Sequence, residues 1–216
     1  MTENTPVVGR ALVLSHGDEA VTAAVVRTLE QDGWTAVLSH GDAAAAATMV
    51  RDLPLDGVVY VPGLLAGVVR EHADPACALL DLLEVVRPHL TDAEHGGARV
   101  VAVGCRDWLG WPTRPRVAAQ AAGLIAAVRS LALAHGRAGI TLNAVVGMPP
   151  DAEAIRAGEP APGTHLYEPV PLTGQSVTAE DIAATVAFFL DSRSAYITGQ
   201  VLHCCGGASL LSSLSV

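Results

Sequence analysis

The chain has 216 residues, of which 13 are basic and 22 acidic, and its formal net charge is −9. With no basic run anywhere, this excludes nucleic acid and an anionic membrane surface as expected partners. Half of the residues are apolar and 16% are charged, proportions that fit one well-buried domain and exclude a disordered chain.

The opening stretch, residues 1–9, reads as a tail. It lacks a positively charged start leading into an apolar core, so no secretory signal is expected. From residue 10 onward, apolar runs alternate with segments of helical period. RALVLS (10–15) predicts a strand, 18–32 a helix, TAVLS (35–39) a strand, and the alanine-rich run after Asp42 a helix over 42–52. GVVYVP (57–62) and ARVVAVG (98–104) predict further strands on either side of a helix over 75–91. A helix over 114–136 leads to the strand ITLNAVV (140–146). The segment 147–174 is rich in proline and glycine and predicts an irregular, lid-like insertion after that strand. TAED (178–181) has the spacing of a capping box and opens a helix over 179–191, before a last strand GQVLHC (199–204). Such βα alternation predicts an α/β fold: a Rossmann-like, doubly wound parallel sheet of six strands, or seven, with helices on both faces. The whole of 10–216 is expected to form a single domain, with no apolar run of the roughly 18 residues that a membrane span requires.

Two absences narrow the chemistry. Every basic side chain is an arginine, which removes a lysine Schiff base, a lysine acid or base, and an ammonium grip on phosphate. The four cysteines, Cys77, Cys105, Cys204 and Cys205, lack metal-ligand spacing, and adjacent cysteines make a strained disulfide. Free thiols and a cytoplasmic location are the expectation.

The stretches AAGLIAAVRSLALAHGRAGITLNAV and VPLTGQSVTAEDIAATVAFFLDSRSAYITGQVLHCCGGASL, the latter with Thr198-Gly199 before the final strand, carry a family likeness. On them the chain resembles the short-chain dehydrogenase/reductase family, a Rossmann fold. The likeness is looser in the first half, where one βα unit looks deleted before GVVYVP. The resemblance implies NAD(P)-dependent interconversion of a carbonyl and an alcohol by an Asn, Ser, Tyr and Lys set. In this chain the serine position falls on Cys105, the tyrosine on Val117, the lysine on Ala121 and the asparagine on Pro75 or its neighbour. Valine has no proton to give.

The first turn departs too. SHGDEAV (15–21) has one glycine, Gly17, where the family's fingerprint needs several, and Asp18 and Glu19 follow it at the helix start. Carboxylates there suit the helix dipole but repel a pyrophosphate by roughly 1 to 4 kcal/mol per close pair. YVPG (60–63) stands in place of the family's Asn-Asn-Ala-Gly, and Val146 in place of a proline. From these departures we expect that NAD(P) binding is lost and that no cofactor is used.

The candidate catalytic residues are those at strand C-termini, namely Cys105, Asp107, His16 and Tyr60, with His40 and Asp42 nearby. Candidate substrate-binding residues are Arg106, Trp108 and Trp111 in the loop RDWLGWPTRPR (106–116), with Gln120 and Tyr167. Each has a plainer reading: Cys105 as packing, Asp18 and Glu19 as helix-end charge, His16 as a turn residue, and the tryptophan loop as self-packed surface. The expected function is a cofactor-independent enzyme, of cyclase, isomerase or dehydratase type, on a small polyketide-like metabolite of bacterial specialised metabolism. The alternatives are a noncatalytic subunit paired with an active reductase, and an atypical NAD(P)-dependent ketoreductase. The resemblance further implies a homodimer or homotetramer, with the small-residue helix 114–136 at the interface; no metal is expected.

Overall fold

A computed structural model describes residues 8–65, 74–148, 160–161 and 163–211. Most of the expected tail, the stretch 149–159 with residue 162 of the insertion, and the end of the apolar C-terminal tail lie outside the described residues. Six strands, β1 (Gly9–Ser15), β2 (Trp34–Ser39), β3 (Gly57–Val61), β4 (Arg99–Cys105), β5 (Thr141–Gly147) and β6 (Val201–Cys204), form one sheet. Its order is β2-β1-β3-β4-β5-β6, and every pair is parallel. The helices are α1 (Glu19–Gln31), α2 (Ala43–Met49), α3 (Pro75–Val86), α4 (Pro115–His135) and α5 (Ala179–Leu190). α1 packs on α5, while α3 packs on both α2 and α4.

The central strands show why continuous apolar runs predict such a sheet. Every residue of β3 and β4 is buried, because helices cover both faces and no side chain alternates toward water. The core joins Leu12, Leu14, Val59, Val101 and Val145 of the sheet to Leu29 of α1, Leu82 of α3, Leu124 of α4 and Val186 of α5. β5 is fastened to the turn before β6 by one buried amide. Asn143 Nδ2 donates to the Ile197 carbonyl at 2.8 Å, and its Oδ1 accepts from Gln200 N at 3.0 Å. The hydroxyl of Thr198 accepts from Leu142 N, so the Thr-Gly pair works as a clasp between two parallel strands.

Local signals set the helix ends. Asp42 caps α2 by accepting from Ala45 N at 2.8 Å, and Thr178 and Asp181 form the reciprocal capping box of α5. The helix expected over 75–91 stops at Val86 and continues as a 3₁₀ turn, Arg87–His89. Pro88 explains the shortening, since its ring cannot sit inside an α-helix without displacing the preceding turn. One expectation is corrected: Pro115–Ala138 is long and apolar enough to cross a membrane. Here it is α4 with its trailing turn, and Val117, Leu124, Ile125, Val128 and Leu131 pack into the core.

Candidate functional site

Parallel strands all end at one edge of the sheet, and there the sequence candidates gather in two groups. The first lies after β1 and β3. Tyr60 is 1% exposed, and its hydroxyl meets His16 Nδ1 at 3.4 Å, with the rings edge-on at 5.6 Å. His16 Nε2 lies 3.0 Å from the Gly41 carbonyl. A carbonyl only accepts, so Nε2 carries the imidazole proton and Nδ1 accepts from Tyr60. His40 and Asp42 stand nearby in sequence, His40 exposed and Asp42 spent on its cap.

The first turn is drawn tight. The hydroxyls of Ser15 and Thr22 both reach the Gly17 carbonyl, at 3.0 and 3.3 Å. A Cβ on Gly17 would sit 2.9 Å from Gly63 Cα, so the backbone after β1 rests directly on the backbone after β3. Asp18 takes the left-handed conformation, φ 52, and its Oδ2 accepts from Leu65 N at 3.0 Å. The turn therefore directs this carboxylate inward to a loop N–H after β3.

The second group lies after β4, β5 and β6. Arg106 and Asp107 are 2% and 6% exposed. Asp107 is held by Arg114, whose Nε and Nη2 donate to its two oxygens at 2.5 and 3.1 Å. Arg114 also donates to Glu168 Oε1 at 2.8 Å, which fastens the 163–171 segment to the start of α4. These two carboxylates hold the Arg114 guanidinium well above its usual pKa, against a desolvation that pulls the other way. Trp111, 6% exposed, stacks beneath both arginines, 5.1 Å from Arg106 and 5.8 Å from Arg114. Trp108 Nε1 donates to His203 Nε2 at 3.2 Å. Burial first, and then the charge of Arg106, push the His203 pKa down, so the ring stays neutral and free to accept.

These contacts do not bring the candidates Cys105 and Asp107 together with His16. His16 is bound to Tyr60 and Gly41, and Asp107 to Arg114. Burial pushes the Cys105 thiol up to about 12, helped by the charge of Asp107, so it stays protonated at neutral pH. Of the expected substrate contacts, Arg106 and Trp111 are buried, Trp108 and Gln120 half-buried, and Tyr167 is 59% exposed. Val117 and Ala121, at the positions where the resemblance implies tyrosine and lysine, are 3% and 1% exposed and belong to the core face of α4. Among the described residues, no group of three or more His, Cys, Asp or Glu is placed to hold a metal ion. Sequence reasoning missed Arg114 and Glu168. Arg114 stood within the tryptophan loop, whereas Glu168 carried no local signal.

A parallel sheet with ligand-sized chemistry at its C-terminal edge defines a Rossmann-like α/β protein. The family model described as enoyl-(acyl carrier protein) reductase matches residues 76–209, and the chain belongs to this family, within the short-chain dehydrogenases/reductases. Two relatives from Thauera aromatica are the BbsD and BbsC subunits of (2S)-[(R)-hydroxy(phenyl)methyl]succinyl-CoA dehydrogenase. BbsD is 33% identical over 141 residues, 59% of this chain and 50% of the relative. BbsC is 37% identical over 134 residues, 62% of this chain and 51% of the relative. The chain thus spans about half the length of the curated relatives it matches. BdcA solved in complex with NADPH has the same fold, with a TM-score of 0.65 and 23% identity, over 93% of this chain and 94% of that one.

These findings correct two expectations. A cofactor-independent, non-redox enzyme and the absence of any cofactor were inferred from substitutions at single positions. The family is one of reductases, the relatives are named dehydrogenases, and a neighbour in fold holds NADPH. Local departures in a turn do not outweigh a family match that runs across α3, α4, β5, α5 and β6.

Proposed function

We propose that the chain is a subunit of an NAD(P)-dependent short-chain dehydrogenase or reductase, which interconverts a hydroxyl and a carbonyl on an acyl substrate. In this reading a second, active subunit of the same family supplies the tyrosine and lysine. What supports this reading is α4, where Val117 and Ala121, the residues on which the resemblance would put that pair, are buried in the core. The naming of two relatives as two subunits of one dehydrogenase supports the same assembly. Four free cysteines agree with a reducing, cytoplasmic setting.

The test is an assay of NADH- and NADPH-dependent reduction of acetoacetyl-CoA. It compares the chain purified alone with the chain recovered, through a tag at its own locus, in its native assembly. Turnover confined to the assembly is the expected result. An assembly with neither nicotinamide-dependent turnover nor nucleotide binding overturns the proposal. A second reading, an atypical reductase that acts alone, draws on the Tyr60–His16 contact, because a phenol donating to an imidazole is an acid/base pair. Full turnover by the purified chain, abolished by Tyr60→Phe, selects it.

A further inference from the structure

Arg106 follows the last residue of β4 at the ligand-binding edge of the sheet and is 2% exposed. Its Nη1 lies 3.8 Å from Asp107 Oδ1 and 3.9 Å from Glu168 Oε1, beyond hydrogen-bond length. Both carboxylates instead accept hydrogen bonds from Arg114, at distances from 2.5 to 3.3 Å. Among the described residues, neither Nε nor Nη2 of Arg106 has a hydrogen-bond partner. Those two nitrogens share one edge of the guanidinium, where their N–H groups run parallel and can take a planar carboxylate with two bonds. One face of the same group is covered by Trp111 at 5.1 Å.

We infer that the free edge of Arg106 binds a carboxylate carried by the substrate, away from its reacting carbon, and makes the enzyme selective for acidic acyl substrates. A buried arginine edge without acceptors is costly, because the desolvation of the charge is not returned by any bond. The charges around it set the ligand's class. Arg106 and Arg114 balance Asp107 and Glu168, so the cluster is neutral as it stands; one bound carboxylate leaves it singly negative and a dianion doubly so, which favours a monoanion. Lysine would keep the charge but lose the parallel pair of donors, so the selectivity belongs to arginine alone.

The inference takes from the proposed function only that the ligand is a substrate, and its test needs neither nucleotide nor turnover. Saturable quenching of tryptophan fluorescence is measured with 3-phenylpropionate and with its neutral amide, on the wild-type protein and on Arg106→Lys. The acid is expected to bind at least about tenfold more tightly than the amide, and Arg106→Lys to remove at least about tenfold of the acid's affinity while leaving the amide unchanged. Equal binding of acid and amide, or no quenching by either at about 10 mM, overturns the inference. So does displacement of the acid by an equal concentration of inorganic phosphate, which would make the edge a general anion site. If Arg106→Lys does not fold, the wild-type ratio of acid to amide decides alone. Carboxylate preference without nicotinamide turnover in any assembly leaves this inference standing and removes the proposed function; turnover without carboxylate preference does the reverse.

Discussion

At the scale of single residues, the site edge is governed by which charges find partners. Arg114 joins Asp107 to Glu168, so Arg114→Met leaves two largely buried carboxylates without their donor. The expected loss is about 3 kcal/mol of folding stability, the usual result of removing one member of a buried pair, read as a lower urea midpoint with an unchanged slope. A loss below about 0.5 kcal/mol would mean that the network is solvated and only decorates the surface. His203 gives a pH signature. Burial holds its pKa below the ordinary imidazole value of about 6.5, so the folded state binds fewer protons than the unfolded state through that region. The stability this group contributes is therefore complete above about pH 6.5 and is lost as pH falls through the folded pKa. An NMR titration should place the His203 midpoint below 6.5, and a midpoint above it would contradict burial as the cause. Topology made these residues legible in outline, since a strand end followed by Cys-Arg-Asp must lie at the ligand edge. The pairing of Arg114 with Glu168 was not legible, because the two are 54 positions apart and charge types alone do not choose among the chain's carboxylates.

At the scale of elements, the agreement has a physical basis. Helix and strand periods differ, and this chain's apolar runs and alanine-rich helices are each long enough to show one period cleanly. Capping is local as well, so TAED announced the start of α5. Thr178→Ala should cost about 1 kcal/mol, since it exposes the Asp181 N–H that the hydroxyl now satisfies. Two hydrogen bonds from Thr178, the backbone one first, hold the Asp181 carboxyl below its usual value. That support is present above about pH 4 and fades as acid protonates the group, so the gap in melting temperature between the wild type and Thr178→Ala should narrow toward pH 2 but persist, because the cap bond to the Asp181 N–H does not titrate. The tight first turn was not legible in the same way. Gly17 announced itself only as one missing glycine motif, whereas its packing on Gly63 is a contact between two loops. Gly17→Ala forces a methyl group to within 2.9 Å of backbone. A loss of about 2 kcal/mol in denaturant unfolding is the expected outcome, and an unaffected variant would show that the two loops can separate.

For the whole molecule, the strand order explains how a shortened chain keeps a stable sheet. A doubly wound fold places its third strand outside the second, at the edge. Deleting that outer βα unit leaves β2 as the edge and disturbs no central pairing, and the observed order, β2-β1-β3-β4-β5-β6, is what remains. The sequence likeness was enough to foresee this, because an edge strand can be lost without rewriting the alternation inside. On α4 the side turned from the core presents Ala119, Ala122, Ala126 and Ser130, ending in Leu133, which is 88% exposed. Small residues let a second helix come close, and a leucine so exposed gains only if something covers it. Under the proposed assembly, this face is the expected contact with a second subunit. Leu133→Arg adds a charge at its end without entering the core, so folding stability should change by less than about 0.5 kcal/mol. Sedimentation should then report a smaller species than the wild type at equal concentration. If the mutant sediments as the wild type does, α4 faces solvent and the assembly must be built on another surface.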